Sequence, residues 1–240
     1  MRQIEEVMDK TKITLNYLSK DPLLNMGMIV PLERNTADVL YAADDGVCLK
    51  ETKSGAYMLS VACYETGVKI LDMLPDEGLF TFHQKFLLDD FKKKVKHNTL
   101  MENYQAVYLS RDRMPDVGEL EIKPLGLSHF KIIYDNYNID VSENYLRERL
   151  QSGDLFGGYS GEDFVGFIGI HAEGSIGLLK VFDPYLQKGY GRALSHFAVN
   201  HQMDNGITPF VQICISNEKS LSLVRKLGFS VSDGRVFWLF

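Results

Sequence analysis

The chain has 240 residues, 45% apolar and 24% charged, with a net charge of −6 at neutral pH. This is ordinary globular composition, long enough for two modest cores, and it excludes a collagen-like or low-complexity chain. The only basic run is Lys92-Lys-Lys-Val-Lys96, so nucleic acid has no footprint here, and no apolar run reaches the 18 residues of a membrane span.

The charged start Met1-Arg-Gln-Ile-Glu-Glu is no secretion signal, which sets the expectation of a cytoplasmic protein. Periodicity predicts a helix to about residue 20, strands over 37–42, 46–51 and 57–63, and a helix over about 80–96. Asp44-Asp-Gly46 and Lys53-Ser-Gly55 supply the hairpin turns. Residues 111–118 are charged and broken by Pro115 and Gly118, the composition of a linker. The chain is therefore cut into an N-terminal α/β domain, 1–115, and a second domain, 116–240.

Beyond the cut come a strand over 119–125 and helices over 129–137 and 142–151, with Asp140 and Glu143 as a capping pair for a helix starting near Val141. A strand pair follows, 154–160 and 164–171, joined by Gly161-Glu-Asp163. Leu178-Leu-Lys-Val181 has strand character, and a Pro-containing connection leads to Gln187-Lys-Gly-Tyr-Gly-Arg192, which opens a helix to about residue 203. A turn at 204–206, a buried strand over 209–215, a helix behind Asn217-x-x-Ser220 and Lys226-Leu-Gly-Phe229 complete the series. The last stretch, 231–240, is expected to form two strands turning at Ser232-Asp-Gly234.

The glycine segment is the most informative. Unpaired N–H groups at a helix start converge on one point, and Gly189 and Gly191 let a phosphate approach the backbone. The Gly-Lys-Ser/Thr ending of a P-loop is missing, as are the third glycine and early βαβ unit of a dinucleotide fold. Cys48, Cys63 and Cys214 are an odd set at unrelated spacings and read as reduced thiols. Cys214 reads as a small buried strand residue rather than a nucleophile. His196 and His201 fall on the helix after the glycines as packing residues, and His83, His97 and His129 are isolated, so no metal site is expected.

Val181 eight positions before Gly189, the Gly-x-Gly pair, Asn217-x-x-Ser220 and Lys226-Leu-Gly-Phe229 together resemble the GNAT superfamily of N-acyltransferases. The resemblance implies an α/β fold of α+β type, with a mixed, mostly antiparallel central sheet flanked by helices. The first 115 residues suit a smaller α/β domain, a degenerate copy of that fold. It further implies acetyl-CoA as cosubstrate, held by Leu179, Val181, Gln187, Lys188, Gly189, Tyr190, Gly191, Arg192, Asn217 and Ser220. Leu186 departs from the family's usual Arg or Gln. Val224 stands where many members carry a proton-donating tyrosine, a departure shared by branches resembling glycine N-acyltransferases.

The implied reaction is direct attack of a small amine, such as an amino acid, on the thioester, which needs a base and a stabilised oxyanion. His171, Glu173 and Ser175 alternate along the chain and would share one face of a strand that began early enough. Glu173 is the preferred base, two residues before the position where some members carry a catalytic glutamate, here Ser175; His171 stands second. Against Glu173, Ala172-Glu-Gly-Ser175 reads as a turn. The partners expected are acetyl-CoA and the amine, with the chain as monomer or homodimer. Two alternatives remain open: a sensor that binds acyl-CoA without turnover, and a peptide or protein N-acetyltransferase.

Overall fold

The computed structural model describes residues 2–96, 99–116, 120–137 and 142–240, with side chains described from residue 9 onward. Along the chain run α1 (Arg2–Leu18), α2 (Pro22–Glu33), β1 (Ala37–Ala43), β2 (Gly46–Glu51), β3 (Tyr57–Val61), α3 (Tyr64–Met73), β4 (Phe80–Phe82), α4 (Leu88–Lys94) and β5 (Leu100–Val107). Then follow β6 (Glu121–Pro124), α5 (Phe130–Asn136), α6 (Glu143–Ser152), β7 (Leu155–Ser160), β8 (Asp163–Ile170) and β9 (Ile176–Val181). The chain continues through α7 (Tyr190–Asp204), β10 (Phe210–Cys214), α8 (Glu218–Lys226) and β11 (Ser230–Leu239). Packing divides it into two compact units, residues 1–107 with 212–240, and residues 108–211. The linear cut at 115/116 assigns 212–240 to the second half, whereas by packing these residues go with 1–107.

In the first unit the strand order is β1-β2-β3-β4-β11-β5, antiparallel except for the β3–β4 pair. Alternation along β3 sorts the two faces. Leu59 and Val61 join a core with Ile70 and Leu71 of α3 and Phe91 of α4, whereas the Ser60 hydroxyl donates to Asn25 Oδ1 of α2 at 3.0 Å. The Phe82 and Phe91 rings stack with centroids 4.1 Å apart, and Phe237 of β11 lies 5.4 Å from Phe82. Helix α2 starts at the Asp21 cap with Pro22 in its first turn, and it is buried at every residue from Asn25 to Leu32.

Three expectations change here. Phe80–Phe82 is a strand rather than the start of a helix, since its three residues pair with β3 and β11. The closing segment is one strand, not two: β11 keeps β5 as partner on both sides of a register shift between Val231 and Arg235, where Ser232 Oγ accepts from the Gly234 N–H. The start of α6 is capped by Ser142, whose hydroxyl accepts from the Tyr145 N–H; Asp140 and Val141 lie outside the described residues, as do His97 and Glu119.

In the second unit the order is β10-β9-β8-β7-β6, antiparallel except for the parallel β9–β10 pair, which shares the register Val211–Ile176. Leu146 and Leu150 of α6, Ile133 of α5, Phe167 and Leu178 form the core on one face. On the other, α7 lays Leu194 against Gly158 and Phe197 against Phe156. The mixed, largely antiparallel sheet flanked by helices is the fold class read from the sequence. No helix among the described residues is long and apolar enough to cross a membrane.

Candidate active site

Strand β9 carries a defect that shapes the site. Its register with β8 shifts between Phe167 and Gly169, and Leu178 sits at φ 52°, left-handed backbone that costs a non-glycine residue about 1–2 kcal/mol. Burial of the Leu178 side chain in the α5/α6 core holds the strain in place. Pairing with β8 resumes at Lys180 and Val181, so the irregularity is confined to Leu178 and Leu179.

The chain leaves Val181 through a short turn, Asp183–Tyr185, and reaches α7 by way of two left-handed residues, Gln187 at φ 62° and Gly189 at φ 84°. The N–H groups of Gln187, Lys188 and Gly189 meet no acceptor among the described residues. Those of Tyr190 and Gly191 belong to the first turn of a helix, where no carbonyl precedes them. A side chain at Gly189 would point into open space, and one at Gly191 would touch Val181 Cγ2 at 3.6 Å. The result is an exposed run of donors at the positive end of a 15-residue helix. Lys188, packed over the Tyr185 ring at 5.3 Å, and exposed Arg192 add positive charge, and Tyr190 ties the helix start to Ser160 Oγ at 3.1 Å. Leu186 is exposed and offers no donor of its own.

His171 and Glu173 sit on the turn between β8 and β9 and not on a strand: His171 N–H donates to Ser175 O at 2.8 Å and Gly174 N–H to His171 O at 2.9 Å. The turn nevertheless gathers the three residues. Glu173 and Ser175 are both buried, and the Ser175 hydroxyl donates to Glu173 Oε1. The His171 ring lies on Gly177, where even a methyl group would collide with Nε2. Its Nδ1 is 2.6 Å from the Tyr145 hydroxyl on α6. Buried Arg149, one turn on, lies over the Tyr145 ring and pairs with Asp154 at 2.9 Å. Burial pushes the His171 imidazole below the usual histidine range; Glu173 opposes the shift and Arg149 adds to it. Burial also raises the Tyr145 phenol, with the Glu173 charge adding.

Tyr145 and Arg149 were not legible as site residues, because nothing in a helical Tyr-x-x-x-Arg spacing announces a contact with a turn 26 residues away. In the first unit, Asn217 caps α8, its Oδ1 accepting from the Ser220 N–H at 3.0 Å, and Val224 is buried. His196 and His201 pack as expected, His196 Nδ1 against Pro115 O at 2.7 Å and His201 against the Phe156 ring at 4.8 Å. No cluster of three metal-ligating side chains occurs among the described residues.

Residues 163–238 match the family described as FR47-like protein. No curated protein matches the chain. Among solved structures, a Drosophila protein superposes with a TM-score of 0.67 at 14% identity, covering 98% of this chain and 95% of its own. A GCN5-related N-acetyltransferase-like protein from Streptococcus suis gives 0.57 at 12% identity, over 97% and 98% of the two chains. An acetyltransferase from the GNAT family of Colwellia psychrerythraea gives 0.51 at 12%, over 98% and 97%. The chain has the GNAT fold. The bulged β9 and the turn into α7 lie in the segment that carries Val181, Gly189 and Gly191.

Proposed function

We propose that this chain is an acyl-CoA-dependent N-acetyltransferase acting on a small primary amine in a ternary complex, in the cytoplasm, and related to the glycine N-acyltransferase-like branch. The observation that carries this reading is the run of unsatisfied N–H groups from Gln187 to Gly189 opening α7, directly after a bulged strand. Such a cradle suits a pyrophosphate, and the space at Gly189 admits one. Leu179 and Val181 would receive the pantetheine arm, Lys188 and Arg192 would face phosphate charge, and Asn217 and Ser220 would contribute from α8. Acetyl-CoA supplies the activated acyl group. Glu173 takes the proton of the attacking amine, oriented by Ser175, and the backbone beside the bulge meets the developing oxyanion. We further propose that residues 1–115 decide which amine enters, with 116–240 carrying the acyl-CoA motifs.

The test is release of CoA thiol from acetyl-CoA against amino acids, polyamines and peptides, alongside calorimetric acetyl-CoA binding. Amine-dependent release supports the transferase and identifies its acceptor class; release with peptides alone would move the reading to a peptide acetyltransferase. Buried Val224 favours one second reading, a binding protein without turnover, which tight binding with no release would select. Absence of binding would remove the phosphate cradle from the argument.

A further inference from the structure

Residues 113–115 are strapped along α7 at one contact per helical turn. Arg113 pairs with Asp204. The Met114 N–H donates to Asn200 Oδ1 at 2.8 Å, and Asn200 Nδ2 donates to Met114 O at 2.9 Å. His196 meets Pro115 O through Nδ1 at 2.7 Å. The three helix residues stand four apart on one face, and the strap runs against the helix direction. Between the strap, α7 and Ile122 of β6 lies a cavity of about 390 Å³. That falls within the roughly 300–1,000 Å³ of small-molecule sites.

Most of the polar lining is already spent. Arg113 and Asp204 neutralise each other, and Asn200 gives its amide to Met114. Two groups are left. A carbonyl only accepts, so His196 Nδ1 carries the proton to Pro115 O, and the neutral ring keeps a lone pair at Nε2. His196 is 7% exposed, and its Nε2 meets no donor among the described residues. The exposed Asp116 carboxylate has neither an ion-pair nor a hydrogen-bond partner among the described residues. Both unspent groups accept hydrogen bonds, and one is a negative charge. The rest of the wall is apolar or aromatic: Ile122, Ala193 and the Phe197 ring, with His201 stacked on Phe197 at 5.8 Å.

We propose that this cavity binds a small organic ammonium ion, a primary amine carried on a compact apolar body. The ammonium group brings three donors and a positive charge to Asp116 and His196 Nε2, and the body lies against Ile122 and the Phe197 face. A carboxylate ligand would meet two acceptors and would have to take Arg113 from Asp204. An alcohol would bring one donor and no charge. The site needs nothing from the acyl-transfer reading, since no bond is made or broken in it and no acyl-CoA takes part.

The test is an NMR titration of the 15N-labelled full chain, without CoA and in about 20 mM salt, where surface charges are least screened. The probes are benzylamine and 3-phenylpropylamine, set against benzyl alcohol and benzoate. The amides of Ala193, Phe197 and Asn200 are expected to shift saturably with at least one amine below about 10 mM, as suits ligands of this size. Benzyl alcohol should bind at least about threefold more weakly than benzylamine, and benzoate should not shift these amides. Asp116→Asn, at an exposed and unpartnered side chain, should keep the melting temperature and weaken amine binding about two- to fivefold. Ile122→Trp should fill the cavity and abolish the shifts. Failure of both amines to shift these amides, alcohol or benzoate binding as tightly as benzylamine, or unchanged binding in either variant would overturn the proposal. Thiol release from acetyl-CoA is a separate measurement, so failure here leaves the acyl-transfer reading standing, and its failure leaves this site standing.

Discussion

Gly189 and Gly191 look alike in the sequence and do different work in the structure. At φ 84° a side chain on Gly189 strains the backbone by about 1–2 kcal/mol and stands in the cradle, although it touches nothing within 4 Å. Gly189→Val should thus leave a folded protein that has lost acetyl-CoA binding by at least about tenfold, read by calorimetry beside a thermal melt. Gly191→Ala, with ordinary contact to Val181, should bind almost normally. Glu173→Gln keeps the Ser175 contact and removes the charge; it should lower kcat about 10²–10⁴-fold and leave acetyl-CoA affinity alone. His83 in the first unit is a separate matter. It is buried with Nδ1 at 2.9 Å from Asn25 Oδ1, and burial lowers its pKa from 6.5 to about 4. The unfolded chain takes up a proton below about pH 6.5 that the folded chain refuses until about pH 4, so stability falls as pH drops through that window. The loss is of order 3 kcal/mol at its lower end. Urea melts at pH 7 and 5 should show it, and His83→Gln should flatten the difference.

Among elements, the aromatic pile of the first unit is the plainest stability test. Phe91 comes from a helix of two turns and stacks on Phe82, so Phe91→Ala should cost about 3–5 kcal/mol in a denaturant melt. The sequence made some elements legible for good reasons and hid others. Strands β1 to β3 announce themselves through alternation and glycine turns, and α7 through the Gly-Tyr-Gly start. Helix α2 does not, because it is buried all round and has no polar stripe to give a period, although Asp21-Pro22 is a start signal in its own right. Phe80–Phe82 reads as helix in the sequence because three apolar-rich residues carry too little periodicity to distinguish helix from strand. At the site, the run of N–H groups that opens α7 is a local backbone device and so is written locally. The Tyr145–His171–Glu173 grouping depends on α6 meeting a distant turn, which no spacing within either segment encodes.

At the scale of the molecule, packing and sequence order disagree about where one part ends. Residues 212–240 bring β11 between β4 and β5, and Phe237 and Leu239 are fully buried in the core of the first unit. A fragment of residues 116–240 made alone would expose those side chains, and it should fail to give a dispersed NMR spectrum, while the full chain gives one. A well-folded fragment would show that β11 finds its own shelter and that the linker cut is also a folding boundary.

The placement of β11 has a consequence for how the protein is born. Leu100 pairs with Leu239 and Thr99 with Phe240, so β5 is partnered by a strand made only after the whole of the second unit. During translation β4 and β5 are complete long before anything can fill the slot between them, and their hydrogen-bonding edges and the Phe80–Phe82 aromatics wait unshielded. The sheet of the first unit thus closes only after β11 has been made, and a helper that holds nascent chains would have its longest task at those two strands.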